Sequence, residues 1–378
     1  MIRVAVRTDA SRRIGWGHVK RCLALAQALR DAGAELMFVT RPTDVDTEGL
    51  IGQAGFHAVP MPRLDDHDSA PDAPDPAAPP HAGWLARRWD RDAVDTTAAV
   101  HGWQPQLMVV DHYGIDGRWH CAVRSATHAR IAVIDDLADR PLAADLLIDH
   151  NPAADHAAKY RQVLRYPAPL CGGPSFALLD AVYRDHPRCA VQPVLASIGI
   201  FMGGTDPGNF SAFAYQACRT EAGWTGPIEI ATSSANAALP ALQALAASDP
   251  ALVLSVDQPN LADFHARHGL QVGAGGGALW ERCCLGTPTI AVITAENQRL
   301  SVPLLAADGV VRGVDAVGQG ADQLAALGRV IRELAASPAE RAALHERSIR
   351  LVDGRGAKRV AAALLALTAP SPIQETSP

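Results

Sequence analysis

Short, nearly continuous apolar runs recur along most of this chain. Each is followed by a polar or glycine-rich turn and then by apolar residues at helical spacing. The first is IRVAVR at residues 2–7, with turn chemistry over residues 8–17. From His18 onward Val19, Cys22, Leu23, Ala26 and Leu29 recur at helical spacing, and Gly33 marks a stop. Further strands are expected at residues 35–40, 107–110, 130–134 and 145–148. Strands that read apolar throughout belong to a parallel sheet covered by helices on both faces.

The same rhythm restarts after a polar, proline-bearing stretch at residues 184–193 (RDHPRCAVQP). Strands are expected at 194–201, 228–232, 252–255, 270–273 and 289–293, and closing helices near 322–335, 338–351 and 357–367. The chain therefore reads as two Rossmann-like α/β domains facing a cleft, residues 1–188 and 189–378. Residues 59–82 break the pattern with many prolines and aspartates. Such a segment buries too little apolar surface to order itself, so a mobile surface loop within the first domain is expected.

Composition narrows the class. Of 378 residues 48% are hydrophobic and 20% charged, which excludes wholesale disorder. Lys and Arg total 34 against 40 Asp and Glu, a formal charge of −6. That balance argues against nucleic acid or an anionic membrane as the main partner. No apolar run reaches the ~18–20 residues that span a bilayer, and the short apolar start is no signal peptide. Seven cysteines without a C-x-x-C pair read as reduced, mostly buried thiols of a cytoplasmic protein.

Chemistry concentrates at the carboxyl ends of the expected strands. Gly15 and Gly17 admit a sharp turn and close approach of a ligand, and His18 then opens a helix. A dinucleotide fingerprint fails, because Lys20 stands where its third glycine belongs. His18 either bonds only the turn or, facing the cleft, serves as general base. Asp111, His112 and Tyr113 end another strand: Asp111 is suited to orient a histidine or hold a substrate hydroxyl, Tyr113 to donate a hydrogen bond, and His112 reads as a polar loop residue. Asp135 and Asp136 end the next strand, where a turn-capping role suffices for either. In the second half, Gly203, Gly204 and Thr205 precede a helix and offer backbone N–H groups to phosphate. The segment GAGGGALWERCCLGTP (273–288) is richer. Gly275 and Gly276 admit a pyrophosphate, and Glu281 either takes two ribose hydroxyls or lies on a solvated face. Asn297 follows the next strand at the same edge.

Four of these segments, GWGHVKRCLALA, DHYGI, FMGGTD and GAGGGALWE, resemble in order and spacing the pseudaminic acid pathway hydrolase family. CGGPSFALL (171–179) resembles that family's element before the interdomain crossover. The family hydrolyses UDP-2,4-diacetamido-2,4,6-trideoxy-β-L-altropyranose, and is itself similar to the GT-B glycosyltransferases of peptidoglycan synthesis. The resemblance implies a GT-B architecture with UDP held mainly by the C-terminal domain. It places the family's base histidine on His18, its motif tyrosine on Tyr113 and its motif asparagine on Asn297. The nucleotide-binding glycines and glutamate fall on Gly275, Gly276 and Glu281. Asp180 stands where a basic residue often follows the ALL element, and the segment 59–82 is unusually long for the family.

The chemistry implied is inverting attack of water at C1, with His18 as base and the glycine-turn amides stabilising the departing diphosphate. No cofactor and no D-x-D-like metal site is expected, which leaves open a Mg²⁺ travelling with the diphosphate. The expected partner is a small UDP-sugar, the expected state a monomer. The alternatives are a GT-B glycosyltransferase using a UDP-N-acetylhexosamine donor, a non-catalytic nucleotide-sugar-binding protein and a UDP-sugar 2-epimerase.

Overall fold

Two parallel sheets carry the chain in a computed structural model, which describes residues 1–63 and 75–368. Among the described residues the first sheet has seven strands: β1 (Arg3–Thr8), β2 (Glu35–Thr40), β3 (His57–Pro60), β4 (Leu107–Asp111), β5 (Arg130–Ile134), β6 (Leu146–Asp149) and β7 (Leu170–Gly172). Their spatial order is β3-β2-β1-β4-β5-β6-β7. The second has six: β8 (Ile198–Phe201), β9 (Ile228–Thr232), β10 (Leu252–Val256), β11 (Leu270–Ala274), β12 (Thr289–Ile293) and β13 (Arg312–Asp315), ordered β10-β9-β8-β11-β12-β13. Every pairing is parallel. Both sheets are doubly wound. The strand order reverses between β1 and β4 in one and between β8 and β11 in the other, and open sheets bind ligands at such points.

Burial explains why the central strands were legible. β4 and β12 are buried along their whole length, as apolar runs covered on both faces must be. The first helix, Gly17–Asp31, buries His18, Val19, Cys22, Leu25, Ala26 and Leu29 on one face. The three unexpected strands, β3, β7 and β13, are all edge strands. They are short, bury at most one residue each and carry Pro60, Gly172 or Gly313, which mute the apolar signal. The strand expected from residue 194 begins at Ile198, because Val194 lies exposed ahead of it.

The expected boundary at 188/189 does not hold. The first unit comprises Met1–Asp149, Asp155–Gly172 and the residues from Ala357 on, and the second His150–Ala154 and Gly173–Gly356. The reason is packing. Ala177, Leu179 and Tyr183 share a core with Leu279, Trp280 and Cys283 of the second unit, so the polar stretch at 184–193, which starts at the end of a short helix, is internal to that unit. Asp180 caps the short helix Ala181–Asp185 by accepting from the Val182 amide at 2.8 Å. Of the segment 59–82, residues 64–74 lie outside the described residues. Its start belongs to β3, and Arg118 bonds Asp75 at 2.7 Å and the Ala77 carbonyl at 3.1 Å.

Gly356, where the chain leaves the second unit, lies against the backbone of Phe176 and Ala177. A Cβ there would overlap main-chain atoms that no rotamer change can clear. Gly356→Ala is therefore expected to cost about 1–3 kcal/mol, measured by urea unfolding. An unchanged midpoint would contradict this packing.

Candidate active site

Asp111, the last residue of β4, is wholly buried and receives three strong contacts. Arg21 donates to both carboxylate oxygens at 2.6 Å, and His18 Nδ1 lies 2.6 Å from Oδ1. Arg21 and His18 sit three residues apart on the helix that follows β1, so one turn brings both onto the end of the neighbouring strand. A carboxylate at 2.6 Å requires the proton on Nδ1, which leaves Nε2 with its lone pair. Burial alone would raise the Asp111 pKa, but the Arg21 charge and the hydrogen bonds from Arg21 and His18 outweigh it and hold the group far below the usual carboxylate range. The result is a histidine ring held in one orientation at the switch point of the first sheet.

Aromatic rings enclose His18. Tyr113 meets it edge-on with centroids 4.5 Å apart, and Trp84 lies 6.3 Å away. His81 stands 4.6 Å from Trp84 and 5.7 Å from Tyr113. The Tyr113 hydroxyl donates to Asp136, and burial first, then the Asp136 charge, push its pKa well up, so it stays a neutral phenol. Asp136 also lies 3.8 Å from Arg21, while Asp135 pairs with Arg140 at 2.7 Å and accepts from the Ala138 amide at 2.8 Å. Asp135 thus caps its turn as expected, whereas Asp136 steadies the tyrosine.

Gly15 has φ +78°, and its amide donates to the Ser11 carbonyl at 2.7 Å, closing the turn before the helix. Gly17 begins that helix without needing a left-handed backbone. A polar lattice beneath this loop was not foreseen. Arg7 bonds Asp9 at 2.6 Å and Asp92 at 2.9 Å, and Arg41 bonds Asp92 at 2.8 Å. Trp119 Nε1 donates to the same Asp92 at 2.9 Å. His112 is not a solvated loop residue: it is buried, with Nε2 3.5 Å from Asp9, and burial takes its pKa down to about 4.

The second unit presents its own switch point. The turn Gly203–Thr205 follows β8, and Gly203 adopts φ +105°. The Gly204 carbonyl accepts from Ser233 Oγ at 2.8 Å, fixing the loop. Beside it, Gly275 and Gly276 follow β11. A Cβ on Gly275 would strike Val302 at 2.5 Å, so that glycine is required for packing as well as approach. Glu281 is half-buried rather than on a solvated face. It lies 3.2 Å from His265 Nε2 and accepts from the Tyr183 hydroxyl. Asn297 is exposed at the start of the helix Gln298–Ala307. The next residue, Gln298, was not singled out. Its Oε1 accepts from the Thr294 amide at 2.9 Å, and its side chain borders the Gly275–Gly276 turn.

The structure therefore brings His18, Tyr113 and Asp111 together in the first unit, and places Gly203–Thr205, Gly275, Gly276, Glu281 and Asn297 in the second. Among the described residues no group of three or more His, Cys, Asp or Glu is arranged to hold a metal ion, and no helix is long and apolar enough to cross a membrane.

The fold and these two strand-end sites define a class. Acinetobacter baumannii MurG matches with a TM-score of 0.62 at 13% identity, covering 96% of this chain and 99% of that one. Arabidopsis thaliana UGT89C1 complexed with UDP matches with a TM-score of 0.65 at 13% identity, covering 96% and 100%. The architecture is thus that of the GT-B glycosyltransferases, two Rossmann-like domains. No family model matches the chain. In sequence it is similar to the UDP-2,4-diacetamido-2,4,6-trideoxy-beta-L-altropyranose hydrolase of Campylobacter jejuni, at 24% identity over 309 residues, 82% of this chain and 97% of that protein.

The buried carboxylates make stability acid-sensitive. Burial alone would raise Asp92, yet Arg7 and Arg41 bring it down to about 2. Asp9 and Asp111 are displaced in the same direction. Between pH 4 and 2 the unfolded state then binds more protons, so stability present above pH ~4 is lost as pH falls. Asp92 alone accounts for about 2 kcal/mol of that loss. Urea unfolding at pH 6, 4, 3 and 2 checks it, and a flat profile below pH 4 would contradict the lattice.

Proposed function

We propose that this protein hydrolyses a UDP-linked diacetamido-trideoxy sugar to UDP and the free sugar, a step toward pseudaminic acid. The observation that carries the reading is the Asp111–His18 pair: the carboxylate fixes the Nδ1 proton at 2.6 Å and leaves Nε2 as the acceptor. The sequence similarity to the Campylobacter jejuni hydrolase supports the substrate class.

In this mechanism a water oxygen attacks the anomeric carbon C1. Its proton passes to His18 Nε2 as the C1–O bond to the β-phosphate breaks, and the electron pair leaves with UDP. Attack opposite the leaving group inverts C1. Asp111 stabilises the imidazolium that forms, while Arg21 keeps Asp111 ionised and aimed. Tyr113 braces the His18 ring. Backbone amides of Gly203–Thr205 and Gly275–Gly277 take up the charge that grows on the diphosphate. Glu281 receives the ribose hydroxyls, and Asn297 donates to the substrate. The first unit serves as the catalytic domain and the second as the nucleotide domain. Water as acceptor separates this reading from glycosyl transfer on the same fold.

With UDP-2,4-diacetamido-2,4,6-trideoxy-β-L-altropyranose and no acceptor, UDP and free sugar are expected in equal amounts. His18→Asn is expected to lower turnover by ~10²–10⁴-fold, with the Kd for UDP unchanged by calorimetry. Substrate binding without release would identify a transferase lacking its acceptor or a non-catalytic binding protein. Near-normal turnover of His18→Asn would remove the histidine from the mechanism.

A further inference from the structure

Arg282 is buried, and the Glu281 charge beside it supports it without forming an ion pair. It is fully inaccessible on the helix Ala278–Leu285, next to Glu281. Its Nη2 donates to the Ala274 carbonyl at 2.7 Å, but Nε and Nη1 have no hydrogen-bond partner, and among the described residues it makes no ion pair. Arg341, equally inaccessible, spends its two terminal nitrogens on four backbone carbonyls. Burying a cation costs several kcal/mol unless something neutralises it. Burial takes the Arg282 pKa down to about 10, so the charge persists at neutral pH.

The position of this charge gives it a use. Ala274 is the last residue of β11 and immediately precedes Gly275. Gly273 pairs with Phe201, the last residue of β8. The guanidinium occupies the space a Cβ on Gly273 would take, so Gly273 is a glycine to admit Arg282 and not to approach a ligand. Arg282 therefore lies against the ends of the two adjacent strands from which the turns Gly203–Thr205 and Gly275–Gly277 depart.

We propose that Arg282 is a buried counter-charge for the diphosphate of a nucleotide seated on these two turns. The inference rests on the nucleotide reading above and adds a residue to it. Enclosed at Gly273, the guanidinium acts on the anion through its charge across a medium of low dielectric. It also stabilises the negative charge gained when UDP departs. Uridine, which carries no phosphate, is indifferent to it.

The test is calorimetric binding of UDP, UMP and uridine to wild type, Arg282→Met, Arg282→Gln and Arg282→Lys, with folding checked by circular dichroism. Arg282→Met and Arg282→Gln are expected to weaken UDP by about tenfold or more and leave uridine within about twofold. Arg282→Lys retains most of the wild-type preference for UDP over uridine. Should Arg282→Met fail to fold, Arg282→Gln, which keeps polar donors without charge, carries the comparison. Equal losses for UDP and uridine would reduce Arg282 to a packing role and overturn the proposal, as would unchanged UDP affinity. A wild-type protein that binds neither UDP nor pyrophosphate would overturn the nucleotide reading itself.

Discussion

The Asp111 carboxylate is the group around which the candidate site of the first unit is organised. It ends a fully buried strand, where an isolated anion is untenable, and it is tolerated because Arg21 grips both oxygens and His18 meets one of them as well. That arrangement simultaneously ionises the carboxylate, fixes the histidine tautomer and anchors the helix that carries both partners. Tyr113 follows two residues later and is itself held by Asp136. Removing the carboxylate would strand Arg21 and release His18 together. The Arg7–Asp9–Asp92–Arg41 lattice performs the corresponding task for the loop after β1.

The two units use one topological device with opposite electrostatics. In the first, the switch point between β1 and β4 concentrates carboxylates balanced by arginines and ends in a basic ring nitrogen. In the second, the switch point between β8 and β11 presents glycine turns backed by a buried cation that makes no ion pair among the described residues. One suits proton abstraction, the other an anionic leaving group. A UDP-sugar hydrolase needs both, since water must lose a proton as the diphosphate gains charge.

Much of this was legible in the sequence because it rests on local pattern. The buried strands β1, β4, β11 and β12 announce themselves as apolar runs, and Gly15, His18, Asp111 and Gly275 lie at the ends of the first three. What escaped was carried by tertiary packing. The edge strands β3, β7 and β13 are only three or four residues long and bury at most one residue each. The boundary was drawn at the polar stretch 184–193, yet Ala177, Leu179 and Tyr183 pack with Trp280 and place the division at 172/173. His112 reads as a loop residue until Asp9, far away in sequence, is seen beside it. Gly273 ends an expected strand, and only the structure reveals that the Arg282 side chain and the Phe201 carbonyl leave no room there for a Cβ. Arg21 lies within GWGHVKRCLALA, but nothing in its spacing discloses a bidentate bond to Asp111.

The central claim is that water activated by His18 attacks the sugar at C1 and not the phosphate. Running the reaction in water enriched in ¹⁸O and examining both products by mass spectrometry tests it directly. The account predicts one labelled oxygen on C1 of the released sugar and none in UDP. Label in the terminal phosphate of UDP would show P–O cleavage and contradict it.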